Sequence, residues 1–310
     1  SQAFASLEDI LYEKGVIITA SEHDAIKAKA ERAQEKQEYQ LPVSLKQPAS
    51  PKTKELLDQV EWSPGKGMSF GSKDGNYLTN IRFRLQSRFS TPFDSDPRKI
   101  EDFDAQNSTS FDLRRARIKV GGHGYKPWIG YYFEYDWPSS SLLDWHISLG
   151  KYEWFKVRIG QWKINYNRER VDSSGKQQFV ERSIVNREFT VDRQKGVMAY
   201  GRLFPGTLAD LNYYAGAFTG TGQGTQLNDD TNLMYMGRLQ WNFLGRELKF
   251  SQSDVEFHEK PAGSLAFGYA TVDSNCTRFS SGGCGNLDEF TNSNDAEAGQ
   301  FRINQIVEEF

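Results

Sequence analysis

Ten stretches of this chain alternate apolar residues with polar or charged ones, and that period of two constrains the fold more than any other feature. In Thr79–Phe89, Ile81, Phe83, Leu85 and Phe89 alternate with Asn80, Arg82, Arg84, Gln86 and Arg88. Residues 128–137 place Ile129, Tyr131, Phe133, Tyr135 and Trp137 on one face, with Glu134 and Asp136 on the other. Leu143, Trp145, Ile147 and Leu149 alternate with Asp144 and His146, and Phe155, Val157 and Ile159 with Lys156 and Arg158. Successive strand side chains point to opposite faces, so each stretch predicts a strand with one greasy and one polar side. Further strands are expected near 111–121, 194–203, 208–218, 231–243, 264–272 and 298–310. At 111–121, Ala116, Ile118 and Val120 keep the rhythm while Phe111 and Leu113 fall out of phase. A bulge near Arg114 would reconcile the two halves of that strand.

Composition decides what the greasy side faces. The chain has 310 residues, a mean hydropathy of −0.67 and 37% hydrophobic residues, yet 14% aromatics. No window approaches the run of about 18 apolar residues a transmembrane helix needs. A membrane β-barrel stays open, because alternating strands dilute hydropathy. The connections 90–110, 163–193, 219–230 and 273–297 are long, and 122–127, 150–153 and 204–207 are short. For strands running up and down, long and short fall on opposite ends, the asymmetry of an outer-membrane barrel. Two intervals break this rule: 138–141 is short and 244–263 is long. Aromatics at strand ends (Phe89, Trp128, Trp137, Trp154, Trp162) fit girdles at two lipid interfaces. The predicted fold class is therefore all-β, an antiparallel up-and-down transmembrane barrel of about ten strands.

Ahead of it, residues 1–40 are expected to be helical, residues 41–76 a Pro-rich linker and lead-in, and residues 77–310 the barrel domain. Ser6 is placed to cap a first helix and Ser21 a second. The small-x-small pattern within Ser1–Ala5 matches the tail of a signal peptide.

Charge points to the cargo. Residues 81–202 carry 22 basic and 15 acidic groups, whereas residues 203–310 carry 6 and 14. Arg82, Arg84, Arg88, Arg115, Arg117 and Arg158 occupy the polar side of their strands and would share one aqueous bore. Guanidinium rows attract anions and offer phosphate or carboxylate a two-point contact. The plainer alternative is that these arginines pair with neighbouring acids and fill space.

Several motifs resemble the phosphate-selective porin O/P family. They are Leu113-Arg114-Arg115-Ala116-Arg117 leading to Gly121-Gly122, the aromatic strand Trp128–Asp136, and Arg158-Ile159-Gly160-Gln161-Trp162. Glu181-Arg182 and Arg193-Gln194-Lys195-Gly196-Val197 add to it, and the likeness is clearest over 81–202. The resemblance implies a trimeric, sixteen-stranded outer-membrane channel of a Gram-negative bacterium, not an enzyme, set among lipid and lipopolysaccharide. It implies passage of small inorganic anions such as phosphate, with no cofactor. Carried over motif by motif, the anion pathway falls on Arg84, Arg114, Arg115, Asp144, Lys176 and Arg182, supported by Arg82, Arg88, Arg117 and Arg158. Few bases follow residue 202, which favours general anion preference over strict phosphate specificity. Ten strands are few for an open pore, so the chain reads as the front of a longer porin.

Other signals are weaker. Cys276 and Cys284 lie in a Gly/Ser-rich stretch without the further soft ligands a metal site needs. They read as a loop disulfide of an exported protein, worth roughly 2.5 kcal/mol, or as two free thiols. A ten-stranded outer-membrane hydrolase would match the strand count. However, His23 falls in the N-terminal helical segment, His123 and His258 in inner-side connections and His146 within a strand, none of them at the outer rim where a catalytic base would sit. A secreted β-sandwich that binds glycans predicts aromatics in loops, whereas here they sit on strands. An isoelectric point near 5.9 and the lack of a recognisable module argue against nucleic acid.

Overall fold

The computed structural model describes residues 60–92, 109–179, 181–183, 185–186, 189–223, 228, 230–252, 259–280, 283–285 and 301–310. The helices expected in 1–40 and the linker up to residue 59 lie outside the described residues, as does His258.

The ten expected strands form a single sheet with two more ahead of them. β1 (Val60–Ser63) and β2 (Gly67–Gly71) make a hairpin inside the segment read from sequence as linker and lead-in. Then follow β3 (Leu78–Ser90), β4 (Ser110–His123), β5 (Ile129–Asp136), β6 (Ser141–Tyr152) and β7 (Phe155–Lys163). A one-turn helix, α1 (Arg168–Val171), interrupts the series before β8 (Arg193–Leu203), β9 (Leu211–Phe218), β10 (Met234–Trp241) and β11 (Leu265–Ser274). β12 (Arg278–Ser280) and β13 (Gly283–Gly285) pair as a separate ribbon, and β14 (Phe301–Glu309) lies beside β11. The 12 strands of the main sheet sit in chain order, each antiparallel to the next, and β1 and β14 are its open edges. Up-and-down order needs only local connections, the pattern of antiparallel barrels.

The sheet is inside out relative to a water-soluble protein. Phe83, Leu85 and Phe111 are 72%, 77% and 77% exposed, and Phe133, Trp145, Ile147, Ile159, Val197, Leu239 and Phe267 are also exposed. The buried set includes Arg115, Glu134, Asp136, Arg193, Gln194, Arg238 and Gln240. In water, each large exposed side chain would forgo about 1.5–3 kcal/mol of burial, and so broad an apolar patch would aggregate. Against acyl chains the same wall is satisfied. Among the described residues no helix is long and apolar enough to cross a membrane, so any crossing is made by strands.

Two bulges interrupt the period. Gln86 pairs with Arg115 and Ser87 with Leu113, leaving Arg114 as an extra residue on β4. The out-of-phase Phe111 and Leu113 thereby face outward with the rest of the apolar side. A second bulge was not anticipated: Glu134 pairs with Asp144 and Tyr135 with Leu142, so Leu143 is the extra residue on β6. Leu142 is exposed while Leu143 is buried, reversing the expectation that Leu143 belongs to the outer row. Gln161 repairs the ladder, its Nε2 donating to the carbonyls of both Leu142 and Leu143 at 2.8 Å.

One girdle assignment also fails. Phe89, Trp128, Trp137 and Trp154 are exposed, but Trp162 is 2% exposed and points to the inner side. It anchors a dry cluster with Ile164, Tyr166, Val191, Met198, Phe218, Met234, Met236, Val272 and Phe279. Cys276 packs in that cluster and is disulfide-bonded. Gly160, opposite His146, has φ +134, and a Cβ there would lie 2.2 Å from the Trp145 carbonyl. The strands can approach at this point only because the side chain is missing.

Candidate functional site

The inner side of β3–β6 carries interlocked charges. Arg117 spans Glu134 and Asp136, 3.2 Å from each, and Lys119 lies 3.3 Å from Glu134. Tyr132 donates its hydroxyl to the same Glu134 at 2.9 Å. Arg88 pairs with Asp112 at 3.3 Å. The bulge at Arg114 turns two successive arginines onto one acid, with Arg114 at 3.1 Å and Arg115 at 3.4 Å from Glu181. The bulge at Leu143 sits beside Asp144, which accepts from Arg193 Nε at 2.6 Å. Both bulges thus lie next to charges aimed inward, a common use of such irregularities.

Glu181 belongs to the connection between β7 and β8, which folds across the inner side. It is tied to elements on both halves of the sheet. Arg84 on β3 donates to Ser174 Oγ at 2.8 Å and to its carbonyl at 2.9 Å. Arg238 on β10 donates to the Tyr166 carbonyl at 2.7 Å and pairs with Glu309 on β14 at 2.6 Å. Glu309 also accepts from the Arg168 backbone N–H at 2.6 Å. Within the connection, Arg182 donates to the carbonyls of Glu169 and Asp172 at 3.0 and 2.7 Å, and Arg170 pairs with Asp192. Burial, reinforced by the nearby Arg170 charge, pushes the Arg182 guanidinium down to about 10, which leaves it charged at neutral pH. Lys176 sits in a turn closed by its own N–H to the Ser173 carbonyl at 2.8 Å. Next to it, a Cβ on Gly175 would approach Arg84 Nη1 to 3.1 Å, so the turn and the arginine are closely fitted.

The ten residues singled out from sequence, eight arginines with Lys176 and Asp144, therefore divide. Arg88, Arg114, Arg115, Arg117 and Asp144 are locked in ion pairs, and Arg182 is a clamp on backbone carbonyls. Among the described residues, Arg82, Arg84 and Arg158 have no carboxylate partner. Arg158 instead donates to Ser148 Oγ at 3.2 Å and lies over the rings of Trp162 and Tyr200, at 5.5 and 5.2 Å. His146 does not meet Asp144; it stacks on Tyr132 at 5.5 Å.

Two cavities meet at Arg158. The larger, about 430 Å³, is lined by Arg117, Lys119, Glu134, Asp144, Arg158 and Arg193, among others. The smaller, about 220 Å³, is lined by Lys156, Arg158, Tyr200, Tyr214, Glu247 and Phe250, among others. In the larger, five basic side chains (Arg117, Lys119, Arg158, Lys163 and Arg193) face two acidic ones. Among the described residues no cluster of His, Cys, Asp or Glu could hold a metal ion. Sequence reasoning missed Arg193, Lys163 and Glu134 as members of this site. Their strand positions were legible, but which charges meet across the connection was not.

An antiparallel sheet with a greasy outer wall, and a cavity-bearing, cation-rich inner side crossed by its own loop, defines a membrane β-channel. The model of the phosphate-selective porin O and P family matches residues 83–247, just over half the chain, and the chain belongs to that family. No curated protein matches it. The matched span runs from β3 to the turn after β10, beyond the 81–202 stretch that holds the resembling motifs. The family is one of porins, channels rather than enzymes.

Proposed function

We propose that this porin passes small anions by passive diffusion across the outer membrane of a Gram-negative bacterium. The observation that carries the reading is the excess of basic residues over carboxylates around the larger cavity, which Arg158 lines; Arg82, Arg84 and Arg158 have no carboxylate partner among the described residues. An ion entering such a constriction sheds part of its hydration shell and recovers that energy from guanidinium and ammonium donors. The paired arginines then act as scaffold, holding the connection in place, while the unpaired ones supply the field. Phosphate fits the bidentate geometry of a guanidinium. The family's name favours it, and the scarcity of bases after residue 202 argues for a broader anion preference. Assembly as a trimer, with lipid and lipopolysaccharide around the greasy wall, belongs to the same reading.

The test is a reversal potential in planar bilayers under a salt gradient. The wild-type protein is expected to favour chloride over potassium. The triple variant Arg82→Gln, Arg84→Gln, Arg158→Gln should move the reversal potential toward zero, and an unchanged value removes these residues from selection.

A further inference from the structure

Each of five neighbouring strands turns one ring toward the inner side, where an aqueous pore would be expected to carry polar groups. Tyr132 on β5 stacks on His146 of β6, and His146 meets Trp162 of β7 at 6.0 Å. Arg158 bridges from Trp162 to Tyr200 on β8, and Tyr200 lies parallel to Tyr214 of β9 at 6.3 Å. Phe250 follows Tyr214 at 5.9 Å, edge to face. Part of this belt covers the dry cluster, but Tyr200 and Tyr214 are only partly buried and both line the smaller cavity. Water gains nothing from such a wall; a solute with a carbon ring does.

The polar atoms along the belt that lack partners are of two kinds. On the larger cavity, Trp162 Nε1 and Arg117 Nε are buried donors with no acceptor among the described residues. On the smaller one, Asn165 Oδ1 is a buried acceptor with no donor. A buried polar atom left unpaired is costly, so a solute supplying both missing halves is held better than one supplying a single half. Inorganic phosphate presents mainly acceptors. A sugar hydroxyl donates as well as accepts.

We infer that the belt is a recognition strip for monosaccharide phosphates. The phosphate sits against Arg158 and the Trp162 N–H, and the sugar ring lies on Tyr200 and Tyr214 within reach of Asn165 and Glu247. The smaller cavity has room for one such ring. This inference rests on the anion-channel reading above and narrows its cargo.

The test is block of chloride current through the reconstituted protein by glucose 6-phosphate, inorganic phosphate, glucose and phenyl phosphate. Half-block by glucose 6-phosphate is expected at a concentration about tenfold below that of any of the other three, the weight of one or two ring contacts. The variant Tyr200→Ala/Tyr214→Ala should bring the half-blocking concentration of glucose 6-phosphate to that of inorganic phosphate measured on the same variant. Tyr200→Phe/Tyr214→Phe keeps the rings and should retain the preference, which guards against a folding defect in the alanine pair. Equal block by glucose 6-phosphate and inorganic phosphate, or by phenyl phosphate and glucose 6-phosphate, overturns the inference. A double alanine variant that still prefers the sugar phosphate also overturns it. An anion-selective channel with no such preference sinks only this inference, whereas a cation-selective or non-conducting protein sinks the anion-channel reading with it.

Discussion

The strands from β3 to β7 and those from β8 to β14 follow the same alternation, but what lies behind the greasy wall differs. In the first group the inner side is charged nearly from end to end, from Arg88 and Asp112 through Arg117, Glu134 and Lys119. In the second it is graded. β10 turns Met234 and Met236 inward at the end nearer the long connection and Arg238 and Gln240 at the other, all of them buried. The dry end is covered by the β7–β8 connection through Ile164, Tyr166 and Val191. The lesson is about solvent. Ion pairs that border a cavity pay a smaller desolvation penalty than fully enclosed ones, so they can crowd. Where a loop displaces the water, side chains must either be apolar or find partners, as Arg238 does through its two terminal nitrogens with Tyr166, Gln240 and Glu309.

Perturbing the dry half should cost stability, and perturbing the wet half should cost selectivity. The largest effect is expected from Arg238→Ala. It strands Glu309 beside a buried surface and should destabilise the folded protein by about 3–5 kcal/mol, read by urea unfolding in detergent or lipid, with the reversal potential of surviving channels unaltered. Phe83→Arg tests the outer wall: at mid-membrane it should cost about 2–4 kcal/mol in lipid vesicles, and a neutral result would mean that Phe83 does not face acyl chains. Gln161→Ala should cost about 1–3 kcal/mol, because it orphans the two carbonyls freed by the bulge at Leu143; Gln161→Glu, which cannot donate when ionised, should be no better. At the other extreme, Arg88→Ala breaks a pair with the partly exposed Asp112 and should change stability by less than about 1 kcal/mol. Should Arg88→Ala cost as much as Arg238→Ala, the contrast between the wet and dry halves would be wrong.

Much of this was legible in the chain. All ten expected strands are present, because a period of two with a greasy face is a local signal that needs no knowledge of neighbours. The bulge at Arg114 was readable too, since Phe111 and Leu113 break phase with Ala116 and Ile118. The bulge at Leu143 was not, because Leu142-Leu143 offers two apolar candidates for one outer position and only Gln161, from the next strand, chooses between them. Trp162 was misassigned for a similar reason. Its place at a strand end suits a girdle, and nothing local reveals that Phe218 and the β7–β8 connection are waiting on the inner side. The candidate site was half visible. Sequence placed the arginines on the polar side of their strands, but could not say that Arg114 and Arg115 share Glu181 while Arg158 lies on rings.

By itself, then, the sequence determined the strands, their two faces and the concentration of positive charge in the first half, since each depends on residues adjacent along the chain. Only the tertiary structure decided which cations are neutralised, where water is excluded and which rings line the cavities. Those outcomes depend on a connection of some thirty residues, 164–192, folding back across the sheet. Partner choice across such distances is set by register and burial rather than by any local pattern.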